Sequence, residues 1–426
     1  MTQILDTLII GAGAAGLAAG RKLFDAGQSI LIVEARPRIG GRIWTDDAFA
    51  DFPIDLGAEF IHGEGAVTHE LVAAAGFHTL DAPRKKKLQI GVDGALRTIA
   101  QLPPALAATV QALFAAYDEL AQHDWTARDQ SLADYLRGRG FDAGAIGLAD
   151  VLLAQTCCAS IERLSCADLA REMRVDHAGL QEFHIREGYT ALLQYYGHDL
   201  PIRLNTPVEL IRWWADGVEV VANGEVLRAA RGIITLPIGV LQSGTVHFEP
   251  PLPPAKAHSI AAFRMEPGTK LIYRFAAQLW DDDLVYACHT GLAARWWTPG
   301  YGRANAHVLC CFVTAERARQ IDAMPEAEAL ALGLAEIGPL LGQPDLAAAC
   351  VQAKRICWAH EPFTGGAYAH IPPGAADARV QLAQPVDNVL YFAGEATAHE
   401  TNPQTVHGAI ESGWRAARAV MEASLE

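Results

Sequence analysis

No stretch of this 426-residue chain supplies the ~18 consecutive apolar residues that a membrane-spanning helix requires. Positive charge is also scarce. Lys and Arg number 34 against 49 Asp and Glu, a net charge of −15. Phosphate backbones need a basic face, so nucleic acid is excluded as an expected partner, while an acidic surface mildly attracts cations such as amines. Metal spacing is missing too: the eight cysteines include the adjacent pairs Cys157-Cys158 and Cys310-Cys311 but no CxxC. Neighbouring cysteines rarely bridge each other, so reduced thiols in a cytoplasmic protein are expected, with no metal centre and no disulfide framework. The apolar stretch over 8–20 follows Asp6 without a basic run ahead of it, which does not fit a secretory leader. Internal repeats and low-complexity segments are absent. What remains is 51% apolar and 19% charged, a globular composition too long for one simple core. Two or more domains are expected.

The chain opens as strand, tight turn, helix, strand. An apolar, β-branched run over 4–10 leads into Gly11-Ala12-Gly13-Ala14-Ala15-Gly16, a helix is predicted over 14–26, and a second strand over 29–33 ends at Glu34. A GxGxxG pattern carries weight only in this βαβ setting. Gly11 permits the turn, Gly13 lets the backbone approach a pyrophosphate, and Gly16 allows close helix–strand packing, with the helix N-terminus facing the phosphates. Glu34 stands where a carboxylate accepts from ribose hydroxyls. Directly after it, Arg36-Pro37-Arg38-Ile39-Gly40-Gly41-Arg42 can neutralise a pyrophosphate from a second side, which favours FAD over NAD.

Helical periodicity dominates 67–180, notably over 102–122, 131–137 and 144–156. Strands follow over 202–204, 208–213, 218–221, 225–229 and 232–235, with Asp216-Gly217 and Asn223-Gly224 as turn signals. Pro251-Leu252-Pro253-Pro254 reads as a crossing between domains. Near the C-terminus, Tyr391-Phe392-Ala393-Gly394-Glu395-Ala396-Thr397 and Thr405-Val406-His407-Gly408 read as strand, turn and helix. The fold class expected is α/β: a Rossmann-like FAD-binding domain of discontinuous segments (1–66, 186–250 and 352–426) with an inserted α+β substrate-binding domain (67–185 and 251–351). The first part of the insert should be largely helical and the second mixed.

These blocks, together with Asp55-Leu56-Gly57-Ala58-Glu59-Phe60-Ile61-His62-Gly63, Gly188-Tyr189, 205–208, 235–241, Gly268-Thr269-Lys270 and 358–368, resemble the flavin-dependent amine oxidase family. It includes monoamine oxidases, polyamine oxidases and flavin histone demethylases. The likeness spans nearly the whole chain but is specific only in these blocks. It implies non-covalent FAD held by Gly11, Gly13, Ala15, Gly16, Glu34, Ala35, Arg36, Gly41, Arg42, Gly57, Ala58, Glu59, Val208, Trp358, Gly394, Glu395, Thr405 and Val406.

The resemblance also implies roles. Lys270 would hold a water against flavin N5, a buried cation that stabilises charge on reduced flavin. Tyr368 would be one wall of an aromatic cage, and Trp358 would line the same cavity. His62 would lie near the substrate nitrogen. Glu59 departs from the family's small or amide residue and offers a second anionic contact for a cationic substrate. Ala367 stands where monoamine oxidases carry a flavin-linking cysteine, and Thr405 where they place a second cage tyrosine. Both departures point toward the polyamine oxidase and demethylase branch.

The reaction implied is hydride transfer from a primary or secondary amine to flavin N5, with polyamine-like substrates favoured, giving an imine and, from oxygen, hydrogen peroxide. The partners expected are a small amine and oxygen, with no membrane; oligomeric state is not readable. An L-amino acid oxidase is the nearest rival, disfavoured because Glu59-Phe60 would repel a carboxylate. A non-catalytic flavin protein and a dehydrogenase with a protein acceptor are further alternatives. No long coiled-coil insertion suggests a demethylase. Whether Trp296 and Trp297 line the cavity or the core is open.

Overall fold

The computed structural model describes residues 4–125, 127–304 and 306–424. Its first sheet begins with the βαβ unit. Strand Leu5–Ile10, helix Ala14–Asp25 and strand Ile30–Val33 follow the expected order. Five parallel strands lie side by side in the order Ile202–Arg203, Ile30–Val33, Leu5–Ile10, Glu225–Ile234, Leu390–Phe392. Alternate side chains along Leu5–Ile10 enter two cores. Ile9 packs with Leu17, Ile32 and Ile410 on one face, and Leu8 and Ile10 with Val33, Ile234 and Leu390 on the other.

Strand Glu225–Ile234 is continuous, whereas the sequence suggested two strands around Arg231-Gly232. Its first half pairs antiparallel with Gly217–Ala222 and its second half parallel with Leu390–Phe392. The partner changes there, so the glycine marks a handover and no turn forms.

The second large sheet has seven strands in the order Cys350–Cys357, Gly268–Phe275, Val308–Thr314, Arg295–Trp297, Tyr286–Cys288, Leu88–Val92, Ala95–Thr98. The last two were hidden in a region read as helical. They are joined at Asp93-Gly94, where φ is 50° and 74° at successive residues. Such turns suit Asp-Gly because both central residues need positive φ. The helices that cover this sheet carry legible caps: Ser131 Oγ accepts from Asp134 N at 3.0 Å, Asp142 Oδ1 from Ala145 N at 2.8 Å, and Ser165 Oγ from Asp168 N at 3.0 Å.

Two segments expected in the insert share cores with the first sheet. Leu71 and Val72 of helix Thr68–Ala74 share a core with Leu17, and Ile260 and Phe263 share one with Leu8. Residues 67–77 and 254–263 therefore pack with the sheet that holds Leu5–Ile10. All eight cysteines are free thiols, six of them buried. Among the described residues no helix is long and apolar enough to cross a membrane.

Candidate active site

The N-terminal glycine turn is built for close approach. Gly11 has φ of 106°, and a Cβ on Gly16 would lie 1.9 Å from the Gly11 carbonyl oxygen. The arginine–glycine loop folds over this turn: Gly40 N donates to Ala12 O at 2.8 Å, and a Cβ on Gly41 would stand 3.6 Å from Gly13 Cα. Ala15 is buried in the first turn of the helix that follows. Glu34 is buried and accepts from Ala12 N at 2.8 Å and Arg36 N at 2.9 Å, which fixes its carboxylate at the strand end beside Ala35. Val208 opens the next strand, and Thr206 N and Asn205 N just before it donate to Glu34 O and Arg36 O. Arg36 reaches Glu361 at 3.2 Å.

The two termini meet across this loop. Arg42 Nη1 donates to Glu395 Oε1 at 2.8 Å and to Ala367 O at 2.7 Å. The second Glu395 oxygen is buried with no hydrogen-bond partner, and Gly394, with φ of 128°, precedes it. Arg42, Gly394 and Glu395 line one cleft together with Thr235. An orphaned buried carboxylate oxygen beside glycine turns and helix N-termini fits a ligand with hydroxyl donors and phosphate acceptors, which is the chemistry of FAD. At the far side Thr405 caps the helix Val406–Ala423, its Oγ1 accepting from Gly408 N at 3.0 Å. Ahead of that capped Gly408 N, the N–H groups of Val406 and His407 precede the first helical hydrogen bond, which Ala409 N makes to Thr405 O at 3.1 Å, and can face an acceptor.

Where the isoalloxazine would lie, Lys270 is the central group. It sits in strand Gly268–Phe275, 3% exposed. Its Nζ donates to Asp55 O at 2.7 Å and to Glu59 Oε2 at 2.6 Å, and the ring of Trp297 lies 5.3 Å away. Burial pulls this ammonium's pKa down, but the Glu59 charge and hydrogen bond outweigh it and leave the value raised. The Asp55 carboxyl is pushed up to about 7 by burial, with the charge of Glu59 adding to the shift. Asp55 Oδ1 accepts from Thr45 Oγ1 at 2.5 Å and Tyr189 N at 3.2 Å.

Glu59 differs from its expected role. Its other oxygen accepts from Trp297 Nε1 at 2.9 Å, with His184 Nδ1 at 3.6 Å, and it is 5% exposed. Its charge is therefore taken up by Lys270 inside the protein, and it offers no free anionic contact. Burial pushes the His184 imidazole down to about 4, so it is neutral near pH 7. The open question about the tryptophans resolves by alternation along their strand. Trp297 faces Glu59, while Trp296 stacks on Tyr273 at 5.7 Å in the core behind.

Trp358 and Tyr368 come to Lys270 along the backbone. Ile356 pairs with Lys270, and Tyr368 pairs with Glu266 on the strand just before Gly268. Trp358 Nε1 donates to Leu56 O at 3.2 Å, and a Cβ on Gly57 would lie 2.8 Å from the Trp358 ring. Ala58 N donates to Arg42 O at 3.2 Å. Tyr368 Oη donates to Thr156 O at 3.1 Å. His62, whose side chain is 43% exposed, has Nδ1 3.0 Å from Glu182 Oε1. Glu182 is in turn held by Arg84, whose Nε lies 2.7 Å away. Arg84, Glu182, His184 and Arg295 carried no local sequence signal, since each acquires its neighbours through strand pairing.

Known proteins share this architecture. The solved structure of wild-type putrescine oxidase bound to putrescine superposes with a TM-score of 0.84 at 22% identity over 99% of both chains. Cyclohexylamine oxidase from Brevibacterium oxydans IH-35A gives 0.85 at 23% identity, covering both chains completely. The fold is thus that of the FAD amine oxidases. By sequence, the profile of the flavin containing amine oxidoreductases matches residues 14–421, and the chain belongs to that family. Polyamine oxidase 2 of Arabidopsis thaliana is 28% identical over 98% of this chain and 88% of its own length. Lysine-specific histone demethylase 1B of Mus musculus is 25% identical over 97% of this chain but only 52% of its own length. The protein is an FAD-dependent amine oxidoreductase.

Proposed function

We propose that this enzyme oxidises a primary or secondary amine with oxygen as the electron acceptor. One observation carries the reading: a buried ammonium, Lys270, bonded at 2.7 and 2.6 Å to Asp55 O and Glu59, with the Trp297 ring 5.3 Å away and Trp358 and Tyr368 brought close along the backbone of the paired strands. FAD, when bound, supplies the two-electron acceptor that takes hydride from the carbon beside nitrogen and passes the electron pair to oxygen as hydrogen peroxide. Lys270 keeps a positive charge where negative charge would develop, at no cost in reorganisation. Glu59 and Asp55 O fix the direction of its N–H bonds. Tyr368 and Trp358 exclude water and orient the amine by its apolar faces.

The glycine turn, Glu34, Arg42, Glu395 and the helix after Thr405 form the proposed seat of the cofactor. Ala367 offers no thiol to link it covalently. The residues around 1–66, 186–250 and 352–426 form the proposed cofactor domain, enlarged by the two segments that pack with it, and the remainder forms the substrate domain. A polyamine-like substrate was suggested by the net charge, Glu59 and His62. With Glu59 engaged by Lys270 and His62 on Glu182, the supports left for it are the net charge and the polyamine oxidase relatives.

The test is an anaerobic mix of holoenzyme with spermidine, spermine, putrescine, tyramine and benzylamine. Loss of the flavin absorbance, and stoichiometric peroxide on readmission of air, is the expected outcome. The neutral amine is the reacting form, so the reduction rate should rise with pH through the amine's ionisation. A rate flat across that window, or reduction without peroxide, would refute this reading.

A further inference from the structure

Arg295 is a buried cation with no counter-ion. It is 3% exposed, its Nη1 is buried without a hydrogen-bond partner, and no carboxylate forms an ion pair with it among the described residues. Among the described residues its one side-chain hydrogen bond runs from Nε to the Tyr286 hydroxyl at 2.6 Å, with Cζ 5.6 Å from that ring. The groups in electrostatic range that favour its charge are the Tyr286 and Tyr368 phenols and the Cys288 thiol, none of them ionised near neutral pH. Arg84 nearby shows the contrast: its guanidinium is bonded through two nitrogens to Glu182. A buried charge without a partner is costly, and proteins keep such groups where a ligand completes them.

The place of Arg295 indicates which ligand. Arg295 and Trp297 lie on the same side of strand Arg295–Trp297, and Trp296 points the other way into the core. Trp297 touches Glu59, the partner of Lys270, and residues two apart on a strand are roughly 7 Å apart. Arg295 thus lies one step along the wall from the proposed reacting end, on the side of Tyr368. A planar guanidinium with open N–H groups matches a carboxylate in fork geometry. A second ammonium of a diamine would meet uncompensated positive charge there.

We infer that Arg295 receives a carboxylate carried by the substrate, so that the preferred amine is an amino acid with its acid group several bonds from the oxidised carbon. Repulsion by Glu59 does not oppose this, because Lys270 neutralises it. The inference rests on the amine-oxidation reading, and the two fail differently.

The experiment compares kcat/KM of the holoenzyme for 4-aminobutyrate, 5-aminopentanoate and 6-aminohexanoate with butylamine, pentylamine and hexylamine, and with putrescine and cadaverine. At least one amino acid should exceed its matched alkylamine and diamine about tenfold or more. Arg295→Met should lower that advantage about ten- to a hundredfold, chiefly through KM, with alkylamine turnover within about threefold. Arg295→Lys should recover part of it. Pentanoate should compete in the parent and not in Arg295→Met, a readout independent of turnover. If the variants fail to fold, the parent's own ratio decides. Alkylamines or diamines oxidised as well as every amino acid, or a ratio unmoved by Arg295→Met, would overturn the assignment while leaving amine oxidation intact. No flavin reduction by any compound of either panel would overturn both.

Discussion

Replacing Glu59 with Gln keeps the shape of the Lys270 pocket and removes its charge. At 2.6 Å and an effective dielectric of ~20, the Coulomb attraction lost is about 6 kcal/mol. Because desolvation already offsets part of that attraction, breaking the pair should cost about 3–5 kcal/mol net, most of it from a buried ammonium left unpaired. Asp55 cannot replace the lost charge, since Lys270 reaches its carbonyl and its carboxyl is bonded to Thr45 and Tyr189. The pH dependence follows with a definite sign. In the parent, Lys270 has a raised pKa, so its contribution is fully present below the ordinary lysine value of ~10.4 and fades only above it. In Glu59→Gln, burial is opposed only by the smaller effects of Cys310 and Asp55, and the pKa falls. The deficit should then be largest near neutrality and shrink as pH rises toward the ordinary lysine value. Thermal unfolding of flavin-saturated protein between pH 6 and pH 10 measures this, with a fall in Tm of about 3–5 °C expected at pH 7. Adding Lys270→Met to the variant should return much of the loss, since no unpaired charge remains. A Tm within about 1 °C of the parent at pH 7, or a double variant no more stable than the single one, would refute the reasoning.

Lys270→Met alone should slow reoxidation of reduced flavin by oxygen about a hundredfold, as expected for loss of a preorganised charge, while anaerobic reduction changes less than tenfold; stopped-flow absorbance separates the two. Asp55, raised to about 7, weakens the fold progressively as pH climbs from ~3.9 to about 7, so Asp55→Asn should raise Tm at pH 8 and leave it unchanged at pH 4. Burial works against the Asp168 carboxylate, but Arg379 at 2.9 Å and Arg171 hold its pKa low. That pairing stabilises the fold above ~3.9 and is lost as acid protonates it, so Asp168→Asn should cost about 3–5 kcal/mol at pH 7 in denaturant titration and progressively less below pH 4.

What could be read from the sequence was whatever repeats a local rule. The glycine turn, its helix and Glu34 follow from backbone geometry within a short segment, whereas Lys270, a charge at the start of an apolar strand, was singled out only by the family block it matches. Residue pairs brought together by sheet register were opaque. Glu59 meets Lys270 across 211 positions, and neither residue's neighbours announce the other, so a carboxylate that looked available for substrate proved to be the lysine's own counter-ion. Arg295 is a similar case. In sequence it reads as one arginine before two tryptophans, and only the alternation of its strand separates the side that packs from the side that faces the site. The short strands Leu88–Val92 and Ala95–Thr98 were missed because helical periodicity on either side outweighed their Asp-Gly turn.

The meeting of the two termini has a temporal meaning. The central strand Leu5–Ile10 waits for Glu225–Ile234, which in turn waits for Leu390–Phe392. Helix Val406–Ala423 then closes on Ala14–Asp25 so tightly that a Cβ on Gly413 would stand 2.3 Å from Ala15 O. Strand Leu390–Phe392 and helix Val406–Ala423 must therefore be made before the proposed cofactor seat can close. Until then the parallel strands near the N-terminus have open edges, the arrangement most exposed to aggregation during slow, long-range pairing. Flavin supplied during synthesis can protect only chains that already include that helix, and a chain cut before Leu390 should be insoluble and colourless.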